Sequence, residues 1–249
     1  MMRPKKVVIT GAKGQLGQAL ARKYLDLNFI VIALDLNELE IQQIHENLFY
    51  YDVDIRSLAE TKQLFKKIVE KHGTVDVLVN NAGVAHFSHF KDRTESEMSD
   101  MYEVNLKGSV NCILSLIESR QDISDPCSVI NVASVYGIVS PDFRIYGKDD
   151  RRSPEMYGAT KAGLIQVTKY FAVALADSSI RVNAVSPGGI FNDKNPQNDS
   201  FVKKYSLRTP LKRMARVDEV VNPIIFLSLD DASYITGHNL VVDGGYSAL

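Results

Sequence analysis

The chain alternates between short runs of apolar residues and longer segments in which apolar residues recur with a helical period. The short runs are rich in Val and Ile and show little apolar–polar alternation, as expected for parallel strands covered by helices on both faces. In the helical segment that begins at Leu58, Leu64 and Ile68, then Phe65 and Val69, repeat at four-residue spacing and form one apolar stripe. Such alternation is the signature of βαβ units.

This pattern predicts seven strands and five long helices. The predicted strands are residues 6–10, 29–35, 49–53, 75–80, 129–133, 181–186 and 240–243. The predicted helices are residues 15–25, 58–71, 95–118, 156–176 and 217–229. Because no Pro/Gly/Ser-rich linker, repeat or low-complexity tract divides the chain, we expect one α/β domain over residues 1–249, a Rossmann-type doubly wound sheet of about seven mostly parallel strands with helices on both faces.

Composition and charge narrow the class of ligand. The 249 residues are 45% hydrophobic and 24% charged, with 29 Lys+Arg against 30 Asp+Glu, which excludes a disordered tail, a fibrous repeat and a disulfide-stapled secreted scaffold. Near-neutral charge without a lysine-rich run argues against nucleic acid or an anionic membrane as partner, and favours a small molecule. Cys112 and Cys127 form no CxxC pair and no His cluster has ligand spacing, so we expect no metal site and a reducing, cytoplasmic location. No apolar segment reaches the roughly 18 residues that a membrane helix requires.

A glycine-rich turn, Thr-Gly-Ala-Lys-Gly-Gln-Leu-Gly at residues 10–17, follows the first predicted strand and opens a helix. Glycines allow a pyrophosphate to approach the backbone closely, and the free N–H groups of the helix N-terminus meet its charge. Asp35 ends the next strand 18 residues after Gly17, as the dinucleotide-binding fingerprint requires. A carboxylate there accepts hydrogen bonds from the adenosine ribose and repels a 2′-phosphate, which favours NAD. The positive charge of Lys13 favours NADP, so NADP stays possible. The alternative for Asp35 is a polar residue at the end of a strand that serves only solubility.

Tyr157 and Lys161 lie one turn apart on the same face of a predicted helix. A free phenol titrates near pH ~10 and is a poor base until its anion is stabilised. Lowering its pKa by about three units requires roughly 4 kcal/mol, which a close ammonium and an oxidised nicotinamide ring could supply in a dry cleft. The alternative is an exposed pair without function.

Several motifs occur together in a fixed order, and they make the chain resemble the short-chain dehydrogenase/reductase family, single-domain branch, over almost its entire length. The matching residues are 10–17, Asp52-Val53, Asn80-Asn81-Ala82-Gly83, Asn105, Ser134, Tyr157 with Lys161, Pro187-Gly188, and the tail 234–246.

The resemblance implies an NAD(P)-dependent oxidoreductase that interconverts a secondary alcohol and a ketone. It implies that Tyr157 is the general acid/base, that Lys161 lowers the pKa of Tyr157 and holds the nicotinamide ribose, that Ser134 hydrogen-bonds the reacting oxygen, and that Asn105 positions a water-linked proton relay. By the same resemblance, Asp52 and Val53 would contact the adenine, and Asn81 and Ala82-Gly83 would shape the floor beneath the cofactor. Ile190 would lie beside the nicotinamide carboxamide. The implied cofactor-binding residues are Gly11, Lys13, Gln15, Leu16, Gly17, Asp35, Asp52, Val53, Asn81, Ala82, Gly83, Tyr157, Lys161, Pro187, Gly188, Ile190 and Asn192.

Each polar site residue has a structural alternative, such as a hydrogen bond that caps the backbone at the end of a strand. Four other tyrosines lack this setting, so we expect them to be packing residues: Tyr24, Tyr50, Tyr51 and Tyr170.

Three departures from the family pattern bear on the substrate. Glycines at 11, 14 and 17 have the spacing of the nucleotide-sugar-modifying branch, and Asn192 stands where a Thr commonly contacts the nicotinamide amide. The 23 positions from Ser134 to Tyr157 exceed the usual spacing, which predicts an insertion at 140–153 on the rim of the substrate pocket. Arg144, Lys148, Arg151 and Arg152 in it could hold a phosphate or carboxylate, or could form a solvated loop.

These features favour a substrate from surface-sugar or nucleotide-sugar pathways. The alternatives are a 3-oxoacyl-type reductase, a dinucleotide-binding protein without turnover, and a sugar-nucleotide epimerase or dehydratase. Segment 192–216 resembles the lid that closes over substrate in this family. The family commonly forms dimers and tetramers through long central helices and the last strand, so we expect a homodimer or homotetramer through 95–118, 156–176 and 240–243.

Overall fold

The apolar runs form one parallel sheet in the structure, a computed structural model that describes residues 3–36, 45–122, 124–146 and 152–249. The strands are β1 (Lys6–Thr10), β2 (Ile30–Asp35), β3 (Leu48–Asp52), β4 (Val77–Asn80), β5 (Cys127–Val132), β6 (Ile180–Pro187) and β7 (Asn239–Val242). Their order is β3-β2-β1-β4-β5-β6-β7, and every neighbouring pair is parallel. The predicted doubly wound fold is therefore confirmed.

Helices cover both faces of the sheet. They are α1 (Gln15–Asp26), α2 (Leu58–His72), α3 (Glu95–Tyr102), α4 (Ser109–Ser119), α5 (Glu155–Ala174), α6 (Asp199–Arg208) and α7 (Val217–Ser228). Successive residues of a strand face opposite sides, so Val8 of β1 packs with α2, α4 and α5. Val7 and Ile9 pack with α1 and α7 on the other face. The central strands are therefore buried on both sides, which explains their continuous apolar runs.

The structure corrects three details of the prediction. The predicted helix 95–118 consists of α3, a π-helical segment (Glu103–Gly108) and α4. Segment 192–216 contains α6, a helix that the weak apolar periodicity of this polar segment did not reveal. Tyr24 is fully buried, as expected of a packing residue, but Tyr170 is 67% exposed, so the packing prediction is wrong for Tyr170.

The strand order reverses direction at β1 and β4, since the chain winds from β1 towards β3 and then returns to β4 on the other side. Ligands of open α/β sheets bind in the crevice at the carboxyl ends of the strands beside such a switch point. Within the described parts of the chain, no helix is both long and apolar enough to cross a membrane.

Candidate active site

The glycine turn between β1 and α1 is shaped by two close backbone approaches. Gly11 has φ +64°, and a Cβ there would lie 2.7 Å from Cα of Ala82. A Cβ on Gly17 would lie 2.3 Å from the carbonyl oxygen of Gly11. Gly14 is the N-cap of α1 and makes no side-chain hydrogen bond to the helix. The first backbone N–H groups of α1 therefore have no capping side chain as an acceptor. A backbone cradle of this kind fits the pyrophosphate of a dinucleotide.

Asn81 supports the turn from the end of β4. Its Nδ2 donates to the carbonyl oxygens of Thr10 and Gly11, each at 2.9 Å. The N–H of Ala82 donates to Oγ1 of Thr10 at 3.0 Å. These bonds fasten β4 to β1 at the switch point, so Asn81 holds the shape of the turn and also lines the cleft described below.

Asp35 closes the same edge of the sheet at the end of β2. Its Oδ2 accepts from the backbone N–H of Lys13 at 2.7 Å, and its Oδ1 accepts from Leu36 N–H at 2.8 Å. Nζ of Lys13 donates to the carbonyl oxygen of Leu36 at 2.8 Å. Asp52 pairs in register with Asp35, and Val53 N–H donates to the Asp35 carbonyl oxygen at 3.0 Å. The structure thus brings the predicted adenosine contacts together at the ends of β1, β2 and β3.

Tyr157 and Lys161 lie on the first turns of α5, and Ser134 follows β5. Nζ of Lys161 lies 5.7 Å from the centre of the Tyr157 ring and donates to the Val132 carbonyl oxygen at 2.7 Å. Oγ of Ser134 accepts from the Tyr136 N–H at 3.2 Å. Tyr157, Lys161 and Ser134 line one cleft of about 720 Å³. The structure therefore collects the three predicted catalytic side chains in a single space.

Burial dominates the protonation of this group. It raises the pKa of Tyr157, while a hydrogen bond with the Ser134 hydroxyl acts in the opposite direction. It lowers the pKa of Lys161 to about 8. Burial thus raises the Tyr157 pKa where a lowering was expected, because a phenolate loses more hydration energy in the cleft than the phenol does.

Asn105 lies in the π-helical segment and is fully buried. Its Oδ1 accepts from Val84 N–H at 2.7 Å, and its Nδ2 donates to the Val84 carbonyl oxygen at 2.9 Å and to Oγ1 of Thr160 at 3.3 Å. The side chain therefore fastens the loop after β4 to the helix that carries Tyr157 and Lys161. A role in a proton relay stays a prediction.

The remaining predicted cofactor contacts divide into two groups. Those that line the cleft, besides the residues already named, are Leu16, Gly83, Pro187, Gly188 and Ile190. Gln15 and Asn192 are bonded elsewhere. Nε2 of Gln15 donates to the Phe191 carbonyl oxygen at 2.8 Å, and Oδ1 of Asn192 accepts from the N–H groups of Lys194 and Asn195 at 3.1 Å. A contact between Asn192 and a nicotinamide amide stays a prediction.

The other end of the cleft carries an aromatic wall that the sequence analysis missed. Its members come from the insertion, the segment after β5 and α6, and they are Tyr136, Tyr146, Phe201 and Tyr205. Ring centres of Tyr146 and Phe201 lie 5.6 Å apart, and those of Phe201 and Tyr205 lie 5.8 Å apart. No fixed spacing links these residues along the chain, so only their places in two variable segments could have suggested them.

The arginines of the insertion that the structure describes do not form the predicted binding site for a phosphate or carboxylate. Arg144 binds both carboxylate oxygens of Asp142, at 2.8 and 2.7 Å, and Arg152 lies over the Phe143 ring at 5.8 Å. Neither lines the cleft, whereas Tyr146 and Ser153 of the same segment do. Lys148 and Arg151 lie outside the described residues. No group of three His, Cys, Asp or Glu side chains suited to a metal occurs within the described ranges.

Comparison with known proteins agrees with this fold. The family described as enoyl-(acyl carrier protein) reductase matches residues 11–247. The chain is 32% identical to the 3-oxoacyl-(acyl-carrier-protein) reductase FabG of Thermotoga maritima, covering 97% of both chains. It is also 32% identical to the L-rhamnose 1-dehydrogenase (NAD(P)(+)) of Azotobacter vinelandii, covering 97% of this chain and 96% of that one. A short-chain dehydrogenase of Leptospira borgpetersenii, solved with bound NAD+, has a TM-score of 0.91 and 35% identity over 99% of this chain and 94% of its own.

Proposed function

The chain belongs to the short-chain dehydrogenase/reductase family, and on that premise we propose that Tyr157, Ser134 and Lys161 carry the reaction beside a cofactor held by the glycine turn. A member of this family is an NAD(P)-dependent oxidoreductase acting on CH–OH and C=O groups. The observation that carries the assignment of residues is their meeting in one cleft, next to the edge of the sheet where the turn and Asp35 lie.

The chemistry divides between cofactor and protein. When bound, the nicotinamide ring supplies or accepts the hydride. The Tyr157 phenol gives a proton to the carbonyl oxygen during reduction and takes one from the alcohol during oxidation. The Ser134 hydroxyl donates a hydrogen bond to the same oxygen as charge develops on it. The Lys161 ammonium stabilises the phenolate across the cleft, in surroundings where burial strengthens that attraction.

Asp35 makes NAD the preferred cofactor in this proposal. Its carboxylate is fixed by the N–H groups of Lys13 and Leu36 at the site where a 2′-phosphate would lie, so its charge opposes NADP. The Lys13 ammonium at the same edge reduces that opposition, so NADP is accepted more weakly.

The substrate proposed is a secondary alcohol or ketone of sugar type. The aromatic wall with neutral hydroxyl groups supports this class, as does similarity to a sugar dehydrogenase. A 3-oxoacyl substrate is the second candidate, favoured by similarity to a 3-oxoacyl-(acyl-carrier-protein) reductase.

We also propose a homodimer or homotetramer in the cytoplasm. On α5, Tyr170 and Val173 are 67% and 81% exposed, and around α7 and β7 the apolar side chains of Phe226, Tyr234 and Val241 are exposed as well. Two such apolar faces suit two symmetric interfaces. The mass found by sedimentation should be a multiple of the 27.8 kDa chain, and Val173→Asp should shift that mass towards the monomer. A wild-type monomer at micromolar concentration would contradict this proposal.

The cysteines bear on the proposed cytoplasmic location. Two free, buried thiols accord with a reducing compartment.

The test of the reaction combines cofactor titration with a carbonyl screen. We expect NADH to bind more tightly than NADPH, and at least one sugar-type or acyl ketone to oxidise the bound cofactor. Tyr157→Phe should bind NADH as the wild type does and lose about 10³-fold in turnover, whereas Tyr170→Phe on the same helix should be unaffected. Undiminished turnover by Tyr157→Phe would remove Tyr157 from the mechanism.

A further inference from the structure

The end of the cleft away from the glycine turn has the chemistry of a specific subsite. We propose that it binds an uncharged ring bearing hydroxyl groups, with one ring hydroxyl hydrogen-bonded by the paired phenols of Tyr136 and Tyr146 and the ring face lying against Tyr146 and Phe201. The proposal rests on the proposed function in that it takes this cleft as the substrate site.

The first observation is the absence of available charge. Among the cleft-lining side chains in the described ranges, Lys161 is the only charged one, and its Nζ donates to the Val132 carbonyl oxygen. Arg144 is committed to Asp142, outside the lining. A phosphate or carboxylate taken into this end of the cleft would lose its hydration without a counterion from these side chains, which is costly. The described lining therefore favours a neutral occupant.

The second observation is the pair of hydroxyl groups. The oxygens of Tyr136 and Tyr146 lie 3.3 Å apart, longer than the usual O–H···O distance of about 2.7–2.8 Å. Burial raises the pKa of both phenols, so both stay protonated at neutral pH. Ser153 also hydrogen-bonds Tyr146 through its backbone and its side chain. Each phenol hydroxyl offers one proton and two lone pairs, so the contact between Tyr136 and Tyr146 still leaves one of their two protons and lone pairs of Tyr136 for a third hydroxyl.

One member of this hydroxyl pair lies in the same short segment as Ser134. The backbone N–H of Tyr136 donates to Oγ of Ser134, two residues earlier, so Ser134 and Tyr136 belong to one short 3₁₀ segment, Val135–Gly137, and its cap. Tyr146 meets Tyr136 from the insertion. Ser134, Tyr157 and the phenol pair line the same cleft, so the proposal places the reacting oxygen of the substrate at Ser134 and Tyr157 and a second ring oxygen at the phenol pair.

The third observation is the arrangement of aromatic faces beside the phenols. Tyr146, Phe201 and Tyr205 form a continuous wall of tilted rings along the cleft. The negative faces of such rings attract the C–H bonds of a saturated ring, and its hydroxyl edge meets the phenols. An acyl chain would contact the same faces but would leave the buried hydroxyl pair without a matching group, which reduces its affinity.

The experiment measures binding, so it does not depend on turnover. The wild-type protein saturated with NADH is titrated by calorimetry with cis-1,2-cyclohexanediol and with cyclohexanol, two neutral rings that differ by one hydroxyl. We expect the diol to bind about 10-fold more tightly. Tyr136→Phe and Tyr146→Phe should each reduce that preference to about 2-fold and leave cyclohexanol binding unchanged, while Tyr170→Phe should keep the full preference.

Equal affinities for the two rings in the wild type would overturn the proposal, as would a full preference retained by both cleft variants. Absence of diol binding combined with binding of glucose 6-phosphate would also overturn it. Two phenol variants guard against a folding defect in one of them. Turnover of a carbonyl without the diol preference would leave the proposed function standing and remove this subsite, whereas the diol preference without any turnover would do the reverse.

Discussion

The two ends of the cleft are built in different ways. At the cofactor end, the loops that follow β1 and β4 are held by backbone contacts. Gly11 and Gly17 have no space for a Cβ, and the Asn81 side chain donates hydrogen bonds to the carbonyl oxygens of the turn. At the substrate end, the wall is assembled by side chains from separate segments, in contact with one another through their rings. The shape of the cofactor end is set by close backbone packing, whereas the shape of the substrate end is set by the side chains that line it.

This difference separates what binds a common cofactor from what selects a substrate. A backbone cradle accepts the same dinucleotide whatever the neighbouring side chains are. An aromatic wall can change its members without disturbing the sheet, because Tyr146 and Phe201 lie in segments outside the strands. Lys161, which lines the same cleft, should be among the residues whose loss harms function most.

Replacing Lys161 with Met should lower turnover by about 10³-fold while the fold is retained. Because burial lowers the pKa of Lys161 from 10.5 to about 8, the unfolded chain binds more protons than the folded one between these values, and the free energy of unfolding rises with pH across that interval. The variant lacks this rise. Its stability relative to wild type should therefore fall by about 3 kcal/mol from pH 7 to pH 10.5, as measured by urea unfolding.

Lys169→Met is the matched control, since Lys169 lies two turns further along α5 and is exposed. It should alter neither turnover nor the pH dependence of unfolding. If Lys161→Met showed the same pH dependence as wild type, Lys161 would not be the desolvated cation of the cleft.

A methyl group on Gly17 tests whether the cofactor end depends on backbone space. Gly17→Ala places a Cβ 2.3 Å from the Gly11 carbonyl oxygen and 2.8 Å from Cα of Ala12, so α1 must move away from the turn. We expect NADH affinity to fall by about 100-fold, measured by fluorescence titration. Gly14→Ala is the control, because its Cβ would meet the Gly11 oxygen at 3.4 Å with φ at −66°. Equal affinities in the two variants would show that close approach does not define this end.

The same contrast explains how much the sequence could predict. The turn, Asp35 and the pairing of Tyr157 with Lys161 follow from local spacing, because a strand, a turn and one helical pitch fix where those residues lie. All seven strands were found within two residues, the five inner ones because their apolar runs are buried on both faces, although the edge strands β3 and β7 are only partly buried. The resemblance located Ser134 and Asn105 in the chain, but not the clamp that Asn105 makes with Val84 and Thr160.

The substrate end escaped prediction for a physical reason. α6 has no strong apolar stripe of its own, since mainly Tyr205 is buried in it, and its packing depends on Tyr146 and Tyr246 from distant segments. Charge along the insertion suggested an anion site, but Arg144 pairs with Asp142 within its own segment. Local charge pairing and long-range ring contacts are not visible in a spacing pattern.

Removing the charge of Asp35 should change cofactor choice without changing the substrate end. In Asp35→Asn, the amide oxygen can still accept from the Lys13 N–H, but the negative charge facing a 2′-phosphate is gone. The ratio of NADPH to NADH dissociation constants should fall by about 10-fold, while kcat with saturating NADH stays within about 2-fold. Glu70→Gln, an exposed carboxylate change on α2, should leave the ratio unaltered. An unchanged ratio in Asp35→Asn would return Asp35 to the role of a structural strand end.

The smallest expected effect belongs to the ion pairs that join the insertion to α6. Asp142 binds Arg144 and approaches Nε of Arg208 of α6 at 3.4 Å, and mainly its hydrogen bonds to Arg144 lower the pKa of Asp142 to about 2. A lowered carboxyl pKa contributes stability above its unfolded value near pH 4 and loses it as pH falls through 2. Since Arg144 is largely exposed, Asp142→Asn should cost no more than about 1 kcal/mol at pH 7, with the difference from wild type vanishing at acid pH in urea unfolding. Asp230→Asn, which breaks the exposed pair with Lys5, is the control and should cost still less. A loss of several kcal/mol in Asp142→Asn would mean that charge, rather than ring packing, holds the substrate end together.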